Sequence, residues 1–161
     1  MEKSMPMYST IFRKIQAITM PVFCALLCAS AFANVSLVSI TDGWVRETPP
    51  GVRNAAAFLT LNNSGPTDKK LVDVQCAASL AAHCELHEHL HSANGMRMQK
   101  VSAPLMIPAG SSVRFAPGGY HVMLLDLANP LLAGSTVELL FVFDDQSTST
   151  AILPVKPVSR E

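Results

Sequence analysis

The residues best suited to coordination chemistry fall in three short runs: His87-Glu88-His89-Leu90-His91, Met96-Arg97-Met98 and His121-Val122-Met123. Four of the five histidines are there, with every methionine beyond the N-terminal leader except Met106. Imidazole nitrogen serves Cu, Zn, Ni and Fe, whereas thioether sulfur is a poor ligand for hard ions and a good one for Cu(I), so the mixture points to copper. Residues two apart on a strand face the same way and can grip one ion, a condition that His121 and Met123 meet. By the same alternation Glu85, His87, His89 and His91 share one face, expected to look outward, while Leu86 and Leu90 share the other. Asn94-Gly95 reads as the turn of a hairpin that returns through Met96 and Met98. A two- or four-residue loop would bring Met98 onto the histidine face; a three-residue loop would reverse that parity.

The elements that must position these groups read as strands throughout. Apolar residues recur with period two in short runs punctuated by Gly, Pro, Asn and Ser. Strands are expected over 35–41, 56–61, 71–74, 84–91, 96–101, 112–115, 121–127, 136–143 and 150–155. Residues 77–82 could make one helical turn, and Asn129-Pro130 and Ala133-Gly134 read as turns. Many short strands in one domain indicate an all-β fold, a β-sandwich or Greek-key barrel.

Residues 1–33 have the pattern of a secretory signal peptide. Lys3, Arg13 and Lys14 precede an apolar run from Ala17 to Leu27, and Ala31-Phe32-Ala33 supplies the small residues for cleavage before Asn34. The alternative is an uncleaved anchor, but the run is shorter than the roughly 20 residues a spanning helix needs. Cys24 and Cys28 follow Phe23 and Leu27, where a lipoprotein signal would place a small residue, so both are expected to leave with the leader. A true start at Met5 or Met7 would not change the mature protein. Residues 34–161 then form one domain, without internal repeat, linker or second apolar stretch long enough to span a bilayer. A soluble, monomeric periplasmic product is expected. Twelve Lys and Arg balance twelve Asp and Glu, which argues against nucleic acid as a partner, since that needs a basic stripe.

Cys76 and Cys84 form an even pair in an exported chain, where a disulfide is the first expectation. Closing so short a loop would stabilise by about 2.5 kcal/mol on the chain-entropy model. The rival reading makes Cys84 a copper ligand beside His87, but alternation turns it to the opposite face and a free thiol would be open to oxidation.

Beyond Asn34 nearly the whole chain resembles the PCu(A)C family of bacterial periplasmic copper chaperones. The likeness runs from Gly43-Trp44-Val45-Arg46 with Thr48-Pro49-Pro50-Gly51, through Asn54-Ala55-Ala56-Ala57-Phe58-Leu59 and Glu85-Leu86-His87-Glu88, to Met96-Arg97-Met98. It continues with Ile107-Pro108-Ala109-Gly110 and Pro117-Gly118-Gly119-Tyr120-His121-Val122-Met123-Leu124. The family pattern is a His, ten residues, a Met, about twenty-one residues, then His-x-Met, and this chain follows it with one residue extra in the second gap. The resemblance implies a cupredoxin-like fold and Cu(I) ligands His87, Met98, His121 and Met123. It further implies delivery to an assembling metalloenzyme: the copper sites of a cytochrome c oxidase subunit, alongside a Sco-type chaperone. The chain departs from the family at His89, where methionine is frequent. With His91 nearby, that departure implies readier binding of Cu(II) or Zn. The cysteine pair is not part of the family motif.

Plainer readings stand beside these. A surface histidine is usually only solvated and a strand methionine is usually core filler; for His89 and His91 the two readings stay open. His83 is expected in the loop before its strand, with no chemical part, and Met106, between Leu105 and Ile107, in packing. Gly118, Gly119 and Tyr120 are expected to shape the turn that presents His121. Three other readings remain: a zinc- or copper-dependent enzyme using His87, His89 and one further histidine with Glu88 as base, a sequestering copper-resistance protein, and a structural or adhesive β-sandwich with incidental histidines. Alternation turns Glu88 away from the histidines, and no catalytic residues are assigned.

Overall fold

The computed structural model of the protein describes residues 36–92 and 95–157. The expected leader and its cleavage point lie outside the described residues, as does the side chain of His91. Ten strands follow in order: β1 Val38–Arg46, β2 Ala55–Asn63, β3 Lys69–Gln75, β4 Ala81–Ser92, β5 Gly95–Lys100, β6 Leu105–Ile107, β7 Ser112–Phe115, β8 His121–Leu127, β9 Thr136–Phe143 and β10 Thr148–Lys156. Nine match the expected strands, and the short β6 is the addition.

The strands form one open mixed sheet in the order β5-β4-β8-β2-β1-β10-β9-β3-β6, with β7 pairing the far end of β2. All pairings are antiparallel except β1 with β10, through Val45 and Val155, which joins the two halves. A single core draws on both halves: Leu59, Leu61 and Leu124 from the first, Leu139, Phe141 and Phe143 from the second, with Phe115 and Ile107. At about 25 cal/mol per Å2 of apolar surface, this burial is what holds the sheet folded on itself.

The sequence reading ended β1 at Thr41, five residues early. The register slips by one residue between Thr41 and Trp44, where Asp42 takes a left-handed φ of 54°. This β-bulge switches the core-facing positions from even, at Val38, to odd, at Val45, and so breaks the period-two signal while the strand continues. It also pairs Trp44 with Phe58, whose rings lie 4.7 Å apart.

Two further expectations are corrected. His83 lies within β4, opposite Leu125, because pairing with β8 extends the strand back to Ala81. Met106 is 51% exposed: alternation in β6 gives the core position to Ile107 and turns Met106 outward, opposite Lys70 on β3. The helical turn expected at 77–82 is shorter, a turn over 78–80 in which the Leu80 and Ala81 N–H groups both donate to the Ala77 carbonyl, because Ala81 and Ala82 already belong to β4. The Cys76–Cys84 disulfide is formed and ties this turn to β4. Among the described residues, no helix is long and apolar enough to cross a membrane.

Candidate metal centre

The site is built on the outer face of β4, with β5 on one side and β8 on the other. Directly opposed residues of antiparallel strands share a face. His87 is opposite His121, Glu85 opposite Met123, and His89 opposite Met98. The hairpin has the two-residue parity, since Ser92 pairs with Gly95, and that register carries Met98 to the histidine face. The Ser92–Gly95 pairing is one residue earlier than the expected Asn94-Gly95 turn would give, and residues 93 and 94 lie outside the described residues.

A turn fixes the start of β8. In Ala116-Pro117-Gly118-Gly119 the Gly119 N–H donates to the Ala116 carbonyl, and Gly118 has a φ of 82°. Proline second and a positive-φ glycine third suit a type II turn. The carbonyl of Gly119 then accepts from the backbone N–H of His89 and from Nδ1 of His121, at 3.3 and 3.0 Å. These bonds dock the turn on β4 and aim the His121 ring.

The three rings lie together. His121 stacks on His89 with centroids 4.9 Å apart, and its centroid is 6.0 Å from that of His87. On its other flank it meets Phe58 at 6.3 Å, so an aromatic row runs from Trp44 through Phe58 to the histidines. His121 is only 1% exposed. Burial pushes its pKa below the ordinary imidazole value, against the bond to Gly119, and the neighbouring His89 and His87 press the same way as burial. The ring is thus held neutral, the form a metal requires.

One nitrogen on each ring is buried without a hydrogen-bond partner: Nδ1 of His87, Nδ1 of His89 and Nε2 of His121. Buried polar atoms are nearly always satisfied, so three together call for an explanation. The other nitrogens of the two motif rings are engaged: Nε2 of His87 bonds Oε2 of Glu85 at 3.0 Å, and Nδ1 of His121 bonds the Gly119 carbonyl. Glu85 also accepts from Nζ of Lys100 at 2.7 Å. The Lys100 bond, then that from His87, holds its carboxyl below the usual pKa, against the opposing effect of burial. No group of three His, Cys, Asp or Glu among the described residues is arranged to hold a metal ion.

Residues 38–155 match the family described as "Putative lipoprotein LpqE-like". The chain belongs to this family. It is 35% identical over 122 residues to Lxx21020 of Leifsonia xyli subsp. xyli, covering 76% of this chain and 71% of that protein. Among solved structures, CuI-DR1885 from Deinococcus radiodurans is 34% identical with a TM-score of 0.54, over 80% of this chain and 83% of that one. The apo PCuAC domain from PmoF1 is similar in fold, with a TM-score of 0.63 at 24% identity, over 76% of this chain and 96% of that domain. The PCu(A)C resemblance read from the sequence, and with it the cupredoxin-like all-β fold, is borne out.

In this LpqE-like chain the fold brings His87, His89 and His121 together, with Met98 and Met123 in the neighbouring register positions. Met123 is half-buried and lines a cavity of about 340 Å3 with Pro49, Val52 and Ala56. His91 pairs with Met96 one step nearer the hairpin tip. His83 is exposed. Cys84 is held in the disulfide, so the reading that made it a ligand falls away. Glu88 accepts from Nε2 of Gln99 rather than facing the rings. Sequence reasoning put Glu85 on the histidine face but gave it no part in the site. Its place two residues before His87 was the available signal, because on a strand that spacing makes it a same-face neighbour.

Proposed function

We propose that this protein is a periplasmic copper chaperone that holds Cu(I) on His87, Met98, His121 and Met123 and passes it to an assembling metalloenzyme. The observation that carries this reading is the set of three buried imidazole nitrogens without partners, flanked in register by two methionines. Two imidazoles and two thioethers make a soft, neutral site suited to Cu(I) rather than to hard ions. Thioether also survives an oxidising compartment, in which thiolate would be lost to disulfides. Export is supported by the signal-like leader, the Cys76–Cys84 disulfide and the lipoprotein family to which the chain belongs. The copper carried by CuI-DR1885, and the PCu(A)C resemblance, support copper as cargo. By that resemblance the recipient is a cytochrome c oxidase subunit, reached alone or with a Sco-type chaperone, and the protein acts as a monomer.

Exposure suggests how the cargo leaves. Met98 is 44% exposed on the edge strand β5, whereas His121 is buried on a central strand. A recipient ligand entering from the β5 side displaces Met98 first, and the histidines let go last. His89 adds a third imidazole next to the same site, which supports Cu(II) as a second cargo state, since Cu(II) favours nitrogen.

The test is competition titration of Cu(I) with the parent protein and with Met98→Ala and Met123→Ala, followed by transfer to an apo oxidase copper domain. Both variants should bind more weakly and deliver less. Equal binding and delivery by all three proteins would refute the chaperone reading in this form. Tight binding without transfer to any acceptor would make the protein a sequestering one instead.

A further inference from the structure

We infer that Glu85, braced by Lys100, is a positioning residue that makes His87 present Nδ1 to the metal, while His121 presents Nε2. The inference rests on the copper reading above and deepens it. The two rings are held by different acceptors on opposite nitrogens. A carboxylate oxygen can only accept, so the 3.0 Å contact with Glu85 requires the proton on Nε2 of neutral His87 and leaves the lone pair on Nδ1. A backbone carbonyl can only accept too, so the 3.0 Å contact with Gly119 places the proton of His121 on Nδ1 and the lone pair on Nε2. Each lone pair so assigned falls on the nitrogen that is buried and unpartnered in that ring. At both histidines the nitrogen left with the lone pair is therefore also shut off from water.

Lys100 completes the arrangement. It lies directly opposite His87 in the β4–β5 ladder, and its Nζ donates to Oε1 of Glu85 at 2.7 Å while Oε2 takes the imidazole. The carboxylate is thus engaged at both oxygens, one on the imidazole and one on the ammonium. Glu85 is opposite Met123 on β8, so the pair closes the site at the end remote from Met98. Hydrogen-bond partners of metal-bound histidines typically contribute about 10–100-fold in metal affinity by fixing tautomer and ring angle.

The experiment is long-range 1H–15N correlation on the 15N-labelled protein, without metal and then with Cu(I), with Cu(I) affinity measured in parallel for Glu85→Ala and Glu85→Gln. Without metal, His87 should carry its proton on Nε2 and His121 on Nδ1. On loading, Nδ1 of His87 and Nε2 of His121 should shift. Glu85→Ala should weaken Cu(I) binding by about 10–100-fold and let His87 bind through either nitrogen. Glu85→Gln, whose amide oxygen can still accept from Nε2, should restore most of the affinity and the single binding mode. If Glu85→Ala does not fold, the glutamine variant and the parent spectra decide. Cu(I) on Nε2 of His87 in the parent, parent-like affinity in the alanine variant, or equal losses in both variants would overturn the inference. Absence of any Cu(I)-dependent change at His87, His121 and the methionine methyls would instead refute the copper reading, leaving the metal-free tautomers as a separate result.

Discussion

The two strands that flank β4 supply the site in opposite ways. β8 lies inside the sheet, between β4 and β2, and most of it is buried; it brings His121 at 1% exposure and the half-buried Met123. β5 is the edge strand and is almost wholly exposed; it brings Met98, and Met96 is 59% exposed beside it. One side of the site is thus part of the folded body, and the other is a surface that a partner can reach. The carrier role proposed above would need both: ligands that keep their geometry when empty, and at least one that can be replaced without unfolding. Packing decides which is which, because a side chain walled in by Phe58, His87 and His89 has no room to move, while one on an exposed edge does.

The sharpest way to break this contrast is His121→Ala. It should lower Cu(I) affinity by more than the roughly 100-fold upper range of a hydrogen-bond partner and destabilise the domain by about 1–3 kcal/mol. Titration and denaturant unfolding measure the two effects, and a folded variant with near-parent affinity would remove β8 as the anchoring side. Next in size is the disulfide, which pins the beginning of β4 where that strand runs along β8. Replacing Cys76 and Cys84 with serine should cost about 2.5 kcal/mol of stability yet leave Cu(I) affinity near the parent value, since neither sulfur is on the site face. A large loss of affinity with stability intact would show that the cysteines take part in binding.

The two methionines sharpen the comparison directly. Each change to alanine should weaken Cu(I) by about tenfold, or 1.4 kcal/mol. Their effects on folding should differ: Met98→Ala within about 0.5 kcal/mol, as for an exposed site, and Met123→Ala closer to the lower limit of about 2 kcal/mol for a buried methionine. Stopped-flow transfer should show delivery already altered in Met98→Ala at matched loading. Identical stabilities and transfer rates would mean that exposure does not divide the site. The smallest expected effect on Cu(I) is that of His89→Ala, which should leave Cu(I) binding largely intact and weaken Cu(II) binding; an equal loss for both ions would make His89 an obligatory ligand.

Much of this was legible in residues alone because it depends on local sterics. Alternation along one strand places Glu85, His87 and His89 together whatever surrounds them, and it turns Cys84 away toward its disulfide partner. Hairpin parity offered Met98 the same face for a two- or four-residue loop and the opposite face for a three-residue one, and the Ser92–Gly95 register decided between them. The matches around His87, Met98 and His121 placed the chain in its family, and nine of ten strands followed from periodicity. Where the period itself changed, at the Asp42 bulge, the reading stopped short.

What only the tertiary structure decided is which distant segment lies beside β4. His121 is thirty-four positions beyond His87, and nothing local dictates that they face each other. That register emerges from the competition of all strand pairings to bury Leu124, Val122 and their neighbours. The same packing buried His121 and stacked it on His89, whereas the Gly119 carbonyl and the Glu85 carboxylate each meet a ring only two residues further along the chain. Residue types and spacing determine which donors a strand can offer. Which of these donors meet, and which ligand a partner can reach, depends on contacts between strands far apart in the chain.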